Sequence, residues 1–84
     1  MIKLEDIKVG SILKYKDNLG YTYYLVTKIT DVFIYTREVH VYNCSIGVED
    51  LALIVIEQYE KYYADNILDI VDMNTVLEDY LRLI

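Results

Sequence analysis

The stretch SILKYKDNLGYTYYLVTKIT, Ser11 to Thr30, predicts a β-hairpin. Two segments rich in β-branched and aromatic residues, Ser11 to Lys16 and Tyr21 to Thr30, flank the turn sequence Asp17 to Gly20, whose glycine tolerates a positive φ. In the second strand neither face is cleanly polar, because large apolar side chains occur on both. A closed or strongly curled antiparallel sheet accommodates such a strand better than a flat sheet does.

A third strand is predicted after the hairpin, and the segment that follows it is ambiguous. Asp31 is a weak break, and Val32 to Tyr42 resumes the strand-type composition until residues 43–47 interrupt it. Residues 48–58 (VEDLALIVIEQ) fit both helical spacing and strand alternation, and periodicity alone does not assign so short an apolar run. We favour a strand from Ala52 to Ile56, preceded by a turn.

The spacing of apolar residues becomes helical after Glu57. Residues 59–72 (YEKYYADNILDIVD) predict a helix, because four apolar positions recur at spacings of four, four and three. These positions are Tyr59, Tyr63, Ile67 and Ile70. On another face of this predicted helix, Asp65, Asp69 and Asp72 align at i, i+4 and i+7. We call these three aspartates the acidic stripe.

A second helix is predicted from Asn74 to Ile84 (NTVLEDYLRLI). It opens with Thr75 followed three residues later by Glu78, which is a capping-box pattern. Its apolar residues cover an arc of about 160°, which is wider than a helix needs for docking on one surface. They are Val76, Leu77, Tyr80, Leu81, Leu83 and Ile84. Part of this arc is therefore available for a second contact.

These elements predict an α+β fold in a single domain, residues 1–84. Residues 1–56 are mainly β and form a small curled antiparallel sheet, and residues 57–84 are mainly helical and acidic, with one or two C-terminal helices. A chain of 84 residues buries only about 60% of its unfolded surface on folding. We therefore expect a modest free energy of unfolding.

Charge is distributed unevenly along the chain. Residues 1–48 carry six bases and five acids, a net charge of +1, whereas residues 49–84 carry two bases and nine acids, a net charge of -7. The sum is the net charge of -6. A concentration of negative charge repels nucleic-acid phosphates and attracts basic surfaces. We expect no direct binding of DNA or RNA.

Few residues suited to catalysis or metal binding occur. The chain has one histidine, one cysteine and two serines, and its three glycines stand apart from one another, so that no glycine-rich phosphate loop is present. His40 alternates with Glu38 on a strand and is interpreted as a satisfied surface histidine, and Cys44 as a small structural residue. The acidic stripe is interpreted as solvated carboxylates and not as a cation site. We expect no enzyme, no cofactor and no metal.

The location expected from the sequence is the cytoplasm. A single cysteine excludes an internal disulfide, and a small chain without disulfides suits a reducing compartment. No stretch approaches the roughly 20 apolar residues that span a bilayer, and the N-terminus MIKLEDIKVG lacks the apolar centre of a secretory signal. We expect no membrane insertion.

The first third of the chain resembles a known fold family. Its sequence LEDIKVGSILKYKDNLGYTYYLVTKI contains a Val-Gly-Ser step into a strand, a polar turn, and a second strand of the type Tyr-x-Val-x-Lys-Ile. This pattern resembles the first two strands of small SH3-like β-barrels. The composition also looks like that of small proteins of bacteriophages and mobile elements, among which are SH3-like accessory proteins and inhibitors of host defence. The resemblance implies a barrel-like sheet and carries over no functional residue.

The acidic stripe suggests a function because it has no evident role in stability. Like charges at i, i+4 on a helix destabilise it by a few tenths of a kcal/mol per pair. Regularly spaced carboxylates can take the place of nucleic-acid phosphates in a basic groove. Tyrosines can take the place of bases, because they add contact area at low entropic cost. The hypothesis is a non-enzymatic phage or mobile-element inhibitor, a DNA mimic that occludes the nucleic-acid-binding surface of a host defence protein in the host cytoplasm. Its candidate set of partner-binding residues is Glu57, Glu60, Tyr62, Asp65, Asp69, Asp72, Glu78 and Asp79.

Two alternatives remain open. The carboxylates of the candidate set are also consistent with a solvated face that only keeps the protein in solution. The apolar arc of Val76 to Ile84 suggests instead a self-associating structural or assembly module, in which this arc forms an isologous dimer contact. The dimer and the acidic binding surface are compatible, because a dimer presents two acidic surfaces to a partner.

Overall fold

The computed structural model describes residues 2–42 and 45–82, which form a five-stranded antiparallel sheet with the strand order β4-β3-β2-β1-β5. The strands are β1 (Ile12–Asp17), β2 (Gly20–Ile29), β3 (Phe33–Tyr42), β4 (Ser45–Val55) and β5 (Ile67–Val71). The helices are α1 (Tyr59–Tyr62) and α2 (Met73–Arg82), and short 3-10 turns cover Leu4–Asp6 and Ile56–Gln58. The predicted α+β class, with an antiparallel sheet and C-terminal helices, is confirmed.

The predicted hairpin is present as β1 and β2. Asp17 pairs with Gly20, so the loop consists of Asn18 and Leu19 alone. Gly20 has a φ of +131°, a conformation that L side chains rarely adopt. The Asp17 carboxylate accepts a hydrogen bond from the backbone N–H of Leu19 at 2.8 Å. The Asp-Asn-Leu-Gly sequence thus supplies both the side-chain cap and the permissive residue that this turn needs.

The fourth strand is longer than the sequence indicated. A turn before Ala52 was expected, but β4 already begins at Ser45. Arg37 pairs with Leu51 and Val39 pairs with Val48, so one residue of β3 faces two residues of β4, Glu49 and Asp50. This β-bulge accommodates the two acids that interrupt the apolar alternation, and the strand continues through them.

The predicted helix over residues 59–72 is wrong beyond Tyr62. Residues 67–71 instead form β5, which pairs antiparallel with the outer edge of β1. Ile67 lies opposite Tyr15 and Ile70 opposite Leu13, with a register shift between them that leaves Leu68 as the extra residue. The bulge puts Ile67 and Ile70 on the same side of the sheet at a spacing of three, which in the sequence imitates a helical period.

Both sides of the sheet are covered. The side that packs against α1 holds the larger core cluster of Ile7, Leu13, Val26, Ile34, Ile54, Tyr59, Ala64 and Ile67. The side that packs against α2 holds the cluster of Ile12, Val39 and Val76. We call these the α1 side and the α2 side. Adjacent residues of β2 contribute to different clusters, Val26 to the first and Leu25 to the second, which explains why neither face of that strand is polar.

The C-terminal helix agrees closely with its prediction at its start. It begins at Met73, one residue before the predicted Asn74. Leu83 and Ile84 of the predicted apolar arc, and Cys44, lie outside the described residues. In residues 2–42 and 45–82, neither helix has the length and apolar character required to cross a bilayer.

Candidate functional site

The candidate set does not form one surface, because β5 replaces the helix that would have aligned it. Glu57, Glu60 and Tyr62 belong to the segment around α1, on the α1 side of the sheet. Asp69 lies in the edge strand β5, and Glu78 and Asp79 lie in α2. The prediction that Asp65, Asp69 and Asp72 share a helix face is therefore wrong, and each carboxylate has its own surroundings.

Asp72 is the N-cap of α2. Its carboxylate accepts hydrogen bonds from the backbone N–H of Thr75 at 2.8 Å and from the Thr75 hydroxyl at 2.9 Å. These hydrogen bonds hold the pKa of Asp72 below its usual range, because they favour the charged form. The capping box expected at Thr75 and Glu78 is therefore wrong, because the N-cap is Asp72, three residues before Thr75. The sequence signal that finds it is an aspartate three residues before a threonine, at the point where a strand ends.

Removal of the Asp72 cap should destabilise α2. We expect Asp72→Ala to lower the melting temperature. Asp72→Asn can still accept the Thr75 hydrogen bonds, so we expect its melting temperature to stay close to that of the wild type. Because the folded-state pKa is lowered, the stabilisation is present above the ordinary carboxyl pKa and is lost as pH falls through the folded-state value. Thermal unfolding followed by circular dichroism between pH 7 and about pH 2 measures both effects. An Asp72→Ala protein with the wild-type pH profile would exclude the capping role.

Asp79 joins α2 to the sheet. Its Oδ2 atom lies 3.0 Å from Lys14 Nζ, and the Tyr23 hydroxyl donates a hydrogen bond to the same oxygen. Lys14 Nζ also lies 4.4 Å from the centre of the Tyr21 ring. Burial, and next the hydrogen bond to Asp79, raise the pKa of Tyr23 well above its ordinary value. Asp79 therefore has a structural role, since an internal cation already compensates its charge.

The remaining carboxylates of the candidate set near α1 are exposed to solvent. Glu57, Glu60 and Asp65 are exposed, and none of them forms an ion pair with another residue in ranges 2–42 and 45–82. We call these three the α1 carboxylates. The half-exposed ring of Tyr62 lies beside them in sequence, 5.3 Å from Lys61 Nζ. This part of the candidate set is therefore exposed, as a binding surface requires.

The segment that carries the α1 carboxylates is fixed by a buried tyrosine. Tyr59 is 1% exposed, and its hydroxyl donates a hydrogen bond of 2.7 Å to the carbonyl oxygen of Ile2. After one turn of helix, the backbone N–H groups of Tyr63 and Ala64 both donate to the carbonyl oxygen of Tyr59. The chain then turns into β5. The α1 carboxylates are thus held on a short, anchored connection, outside the core that Tyr59 fills.

His40 lies between two carboxylates. Its Nε2 atom is 3.4 Å from Glu38 and 4.0 Å from Glu49. Glu38 and His40 lie on the same face of β3, as their alternation in the sequence predicts, and Glu49 is at the bulge of β4. The acidic partners give His40 a structural environment, in keeping with its interpretation as a satisfied surface histidine.

A cavity on the α1 side is a feature that sequence reasoning missed. It measures about 230 Å³ and is lined by Tyr15, Tyr24, Thr36, Ala52, Leu53, Ile54, Tyr63 and Ile67. The rings of Tyr15 and Tyr24 meet edge to face, with centroids 6.0 Å apart and planes at 77°. Its three tyrosines come from β1, β2 and the turn before β5, so only the strand register brings them together.

Comparison with known proteins finds no protein-family model, no curated protein and no solved structure that matches this chain. Its function is therefore inferred from its own charges, surfaces and cavities.

Proposed function

We propose that the protein is a non-enzymatic binding protein that engages a basic surface of another protein through the α1 carboxylates. The observation that supports this is that the acids of the candidate set differ in their interactions with the rest of the chain. Asp72 caps a helix and Asp79 pairs with Lys14. Within ranges 2–42 and 45–82, Glu57, Glu60 and Asp65 are exposed, form no ion pair and lie in one short segment, whereas the other exposed acids of the candidate set, Asp69 and Glu78, lie apart in β5 and α2. Uncompensated charge on an anchored segment favours an external cationic partner.

The charge of the C-terminal part acts over a longer range than these contacts. Residues 49–84 carry a net charge of -7, from two bases and nine acids. Such a field steers a basic partner toward the surface and raises the association rate, in a way that salt suppresses. Tyr62, which is close to the carboxylates in sequence, adds aromatic contact area. Tyrosine is enriched at the centres of protein interfaces. The negative field of residues 49–84 and the exposed Tyr62 ring therefore both favour a protein partner.

The class of partner that we propose is a nucleic-acid-binding protein. Carboxylates can replace phosphates in a groove lined by lysine and arginine, because such a groove binds nucleic acid mainly through charge. The composition and the SH3-like start of the sequence further suggest an inhibitor of host defence, encoded by a phage or mobile element and acting in the host cytoplasm. The origin, the compartment and the SH3-like form of the sheet stay predictions.

A salt-dependent affinity capture tests this function. The tagged full chain is incubated with host lysate at about 0.05 M and about 0.5 M salt, because screening separates the two conditions. We expect the wild type to retain a basic, nucleic-acid-binding protein at low salt only. The triple variant Glu57→Gln, Glu60→Gln, Asp65→Asn should lose it.

The matched control removes three exposed acids elsewhere on the chain, Asp31→Asn, Asp69→Asn and Glu78→Gln. It has the same net charge as the triple variant, so the two differ only in where the charge is lost. We expect the control to capture the partner at a level close to wild type. Equal capture by all three proteins would contradict the role of the α1 carboxylates, and equal loss from both variants would assign binding to net charge alone.

Self-association is a second candidate function, and two surfaces are candidates for its contact. Val76, near one edge of the predicted apolar arc, is 2% exposed, whereas Leu81, at the opposite edge, is 57% exposed and stays a candidate contact residue. The edge strand β4 also exposes Val48, Leu51 and Leu53. Exposed apolar residues on an edge strand favour pairing with another chain. Recovery of only the protein itself in the capture, at both salt concentrations, would favour this candidate.

A further inference from the structure

The tyrosine-lined cavity on the α1 side has an aromatic lining that suits a small ligand. Tyr15, Tyr24 and Tyr63 are all partly buried and contribute aromatic surface to a volume of about 230 Å³. Among the lining residues, Thr36 is fully buried, and its hydroxyl donates a hydrogen bond of 2.8 Å to the carbonyl oxygen of Ala52. None of the lining residues carries a charged side chain, so aromatic and aliphatic surface dominates the lining.

Several tyrosines outside the cavity already have a lysine over the ring. Lys14, Lys28 and Lys61 each lie over a tyrosine ring, at 4.4, 5.6 and 5.3 Å from the centroids of Tyr21, Tyr35 and Tyr62. Among the described residues, no lysine or arginine lies over the rings of the three cavity tyrosines. Their aromatic surface is thus available to an external cation.

The surroundings of the cavity carry negative charge. Glu38 lies directly opposite Tyr24 in the β2–β3 pairing, on the α1 side, and its carboxylate is 3.4 Å from His40. Burial raises the pKa of Tyr24, and the charge of Glu38 raises it further. A second carboxylate, that of Asp17, acts on Tyr24 in the same direction. An anion is disfavoured at such a site and a cation is favoured.

We propose that this cavity binds an organic cation, an ammonium or guanidinium group on a short alkyl stem. Aromatic rings attract cations through their quadrupole, and the attraction strengthens where water is partly excluded. A cavity of about 150 Å³ is large enough for benzene, so about 230 Å³ accepts a trimethylammonium group or the end of an arginine side chain. The cavity contains no residue of the candidate set. The cation is either a free small molecule or a side chain of a bound protein.

A titration with matched probes tests the charge requirement. Choline and 3,3-dimethylbutan-1-ol have the same shape and differ in the positive charge. We expect choline to shift the aromatic NMR signals of Tyr15, Tyr24 and Tyr63 in the full-length labelled protein, and to bind about tenfold more tightly than the neutral alcohol. Equal affinity for the two probes, or no shift of these signals by choline, would overturn the proposal.

A third probe and a set of variants locate the site and its natural ligand. N-acetyl-arginine amide binding more tightly than choline would indicate a protein side chain as the source of the cation. The reverse order of affinity would indicate a free ammonium compound.

Variants of the cavity tyrosines test where the cation binds. Tyr63→Leu should weaken choline binding. Tyr63→Phe keeps the ring and Tyr21→Leu removes a ring outside the cavity, so neither should weaken it. If Tyr63→Leu fails to fold, Glu38→Gln provides the test, since loss of that carboxylate should also weaken choline binding.

The titration contains no partner protein, so its outcome is separate from that of the affinity capture. Choline binding that is unchanged in both Tyr63→Leu and Glu38→Gln would place the cation elsewhere and overturn the proposal. The α1 carboxylates would be unaffected by that result, since none of them lines the cavity.

Discussion

Replacement of Tyr59 by alanine is expected to remove a large share of the stability of this protein. Tyr59 is 1% exposed in the α1-side cluster, and truncation of a buried aromatic residue to alanine costs about 3–5 kcal/mol. At about 0.05–0.15 kcal/mol per residue, a chain of 84 residues has roughly 4–13 kcal/mol in total. Urea unfolding followed by circular dichroism measures the loss. The variant should therefore unfold at a much lower urea concentration than the wild type, and a wild-type stability near the lower end of this range would leave the variant unfolded without denaturant.

The conservative variant Tyr59→Phe separates packing from hydrogen bonding. It keeps the ring in the core and removes only the 2.7 Å hydrogen bond to the carbonyl oxygen of Ile2, for an expected cost of about 0.5–1.5 kcal/mol. Amide hydrogen exchange should accelerate in the N-terminal segment more than in β2, because this hydrogen bond anchors that segment. A Tyr59→Ala protein as stable as Tyr59→Phe would show that the aromatic core around α1 is not formed.

Replacement of Asp79 by alanine should detach α2 from the sheet. The Asp79 carboxylate lies 3.0 Å from the Lys14 ammonium and accepts a hydrogen bond from the Tyr23 hydroxyl. The side chains of Lys14 and Asp79 are only 21% and 22% exposed. Hydrogen bonds to charged groups contribute about 1.5–3 kcal/mol each, and partial exposure reduces this value. We expect a loss of about 2 kcal/mol in urea unfolding. Asp79→Asn, which keeps an acceptor, should lose less than Asp79→Ala.

The same contact predicts a dependence on alkaline pH. The folded-state pKa of Tyr23 is raised, so its stabilising effect is fully present below about pH 10, the unfolded value, and is lost as pH rises above it. Tyr23→Phe should therefore lose less stability between pH 9 and about pH 11 than the wild type does. A double-mutant cycle with Lys14→Met gives the coupling of Lys14 to Asp79. A coupling near zero, with identical alkaline profiles, would contradict the contact.

Part of the fold is predictable because local sequence and tertiary structure agree. The hairpin of β1 and β2 follows from a turn sequence between two β-rich segments, and α2 follows from its apolar period. β5 is not predictable in this way, because its bulge at Leu68 places Ile67 and Ile70 at a helical spacing. The unpaired edge of β1, which no local signal reports, determines that this segment forms a strand.

The negative charge of the candidate site is predictable from the sequence, but the structural role of each carboxylate is not. The excess of carboxylates is visible in the sequence, whereas the role of Asp79 depends on Lys14, which lies 65 residues away. The role of Asp72 depends on where α2 begins, which the prediction placed too late for this residue to be a cap. The tyrosine cavity depends on strand register, so no pattern in the sequence indicates it.

The salt dependence of affinity tests the central claim, that the α1 carboxylates bind a basic partner, most directly. The dissociation constant for the captured protein is measured over a range of salt concentrations for the wild type, the triple variant and the control with matched charge. We predict that the triple variant binds weakly, with a much flatter dependence of log affinity on log salt, while the control follows the wild type. A triple variant with the affinity and salt dependence of the wild type would contradict the claim.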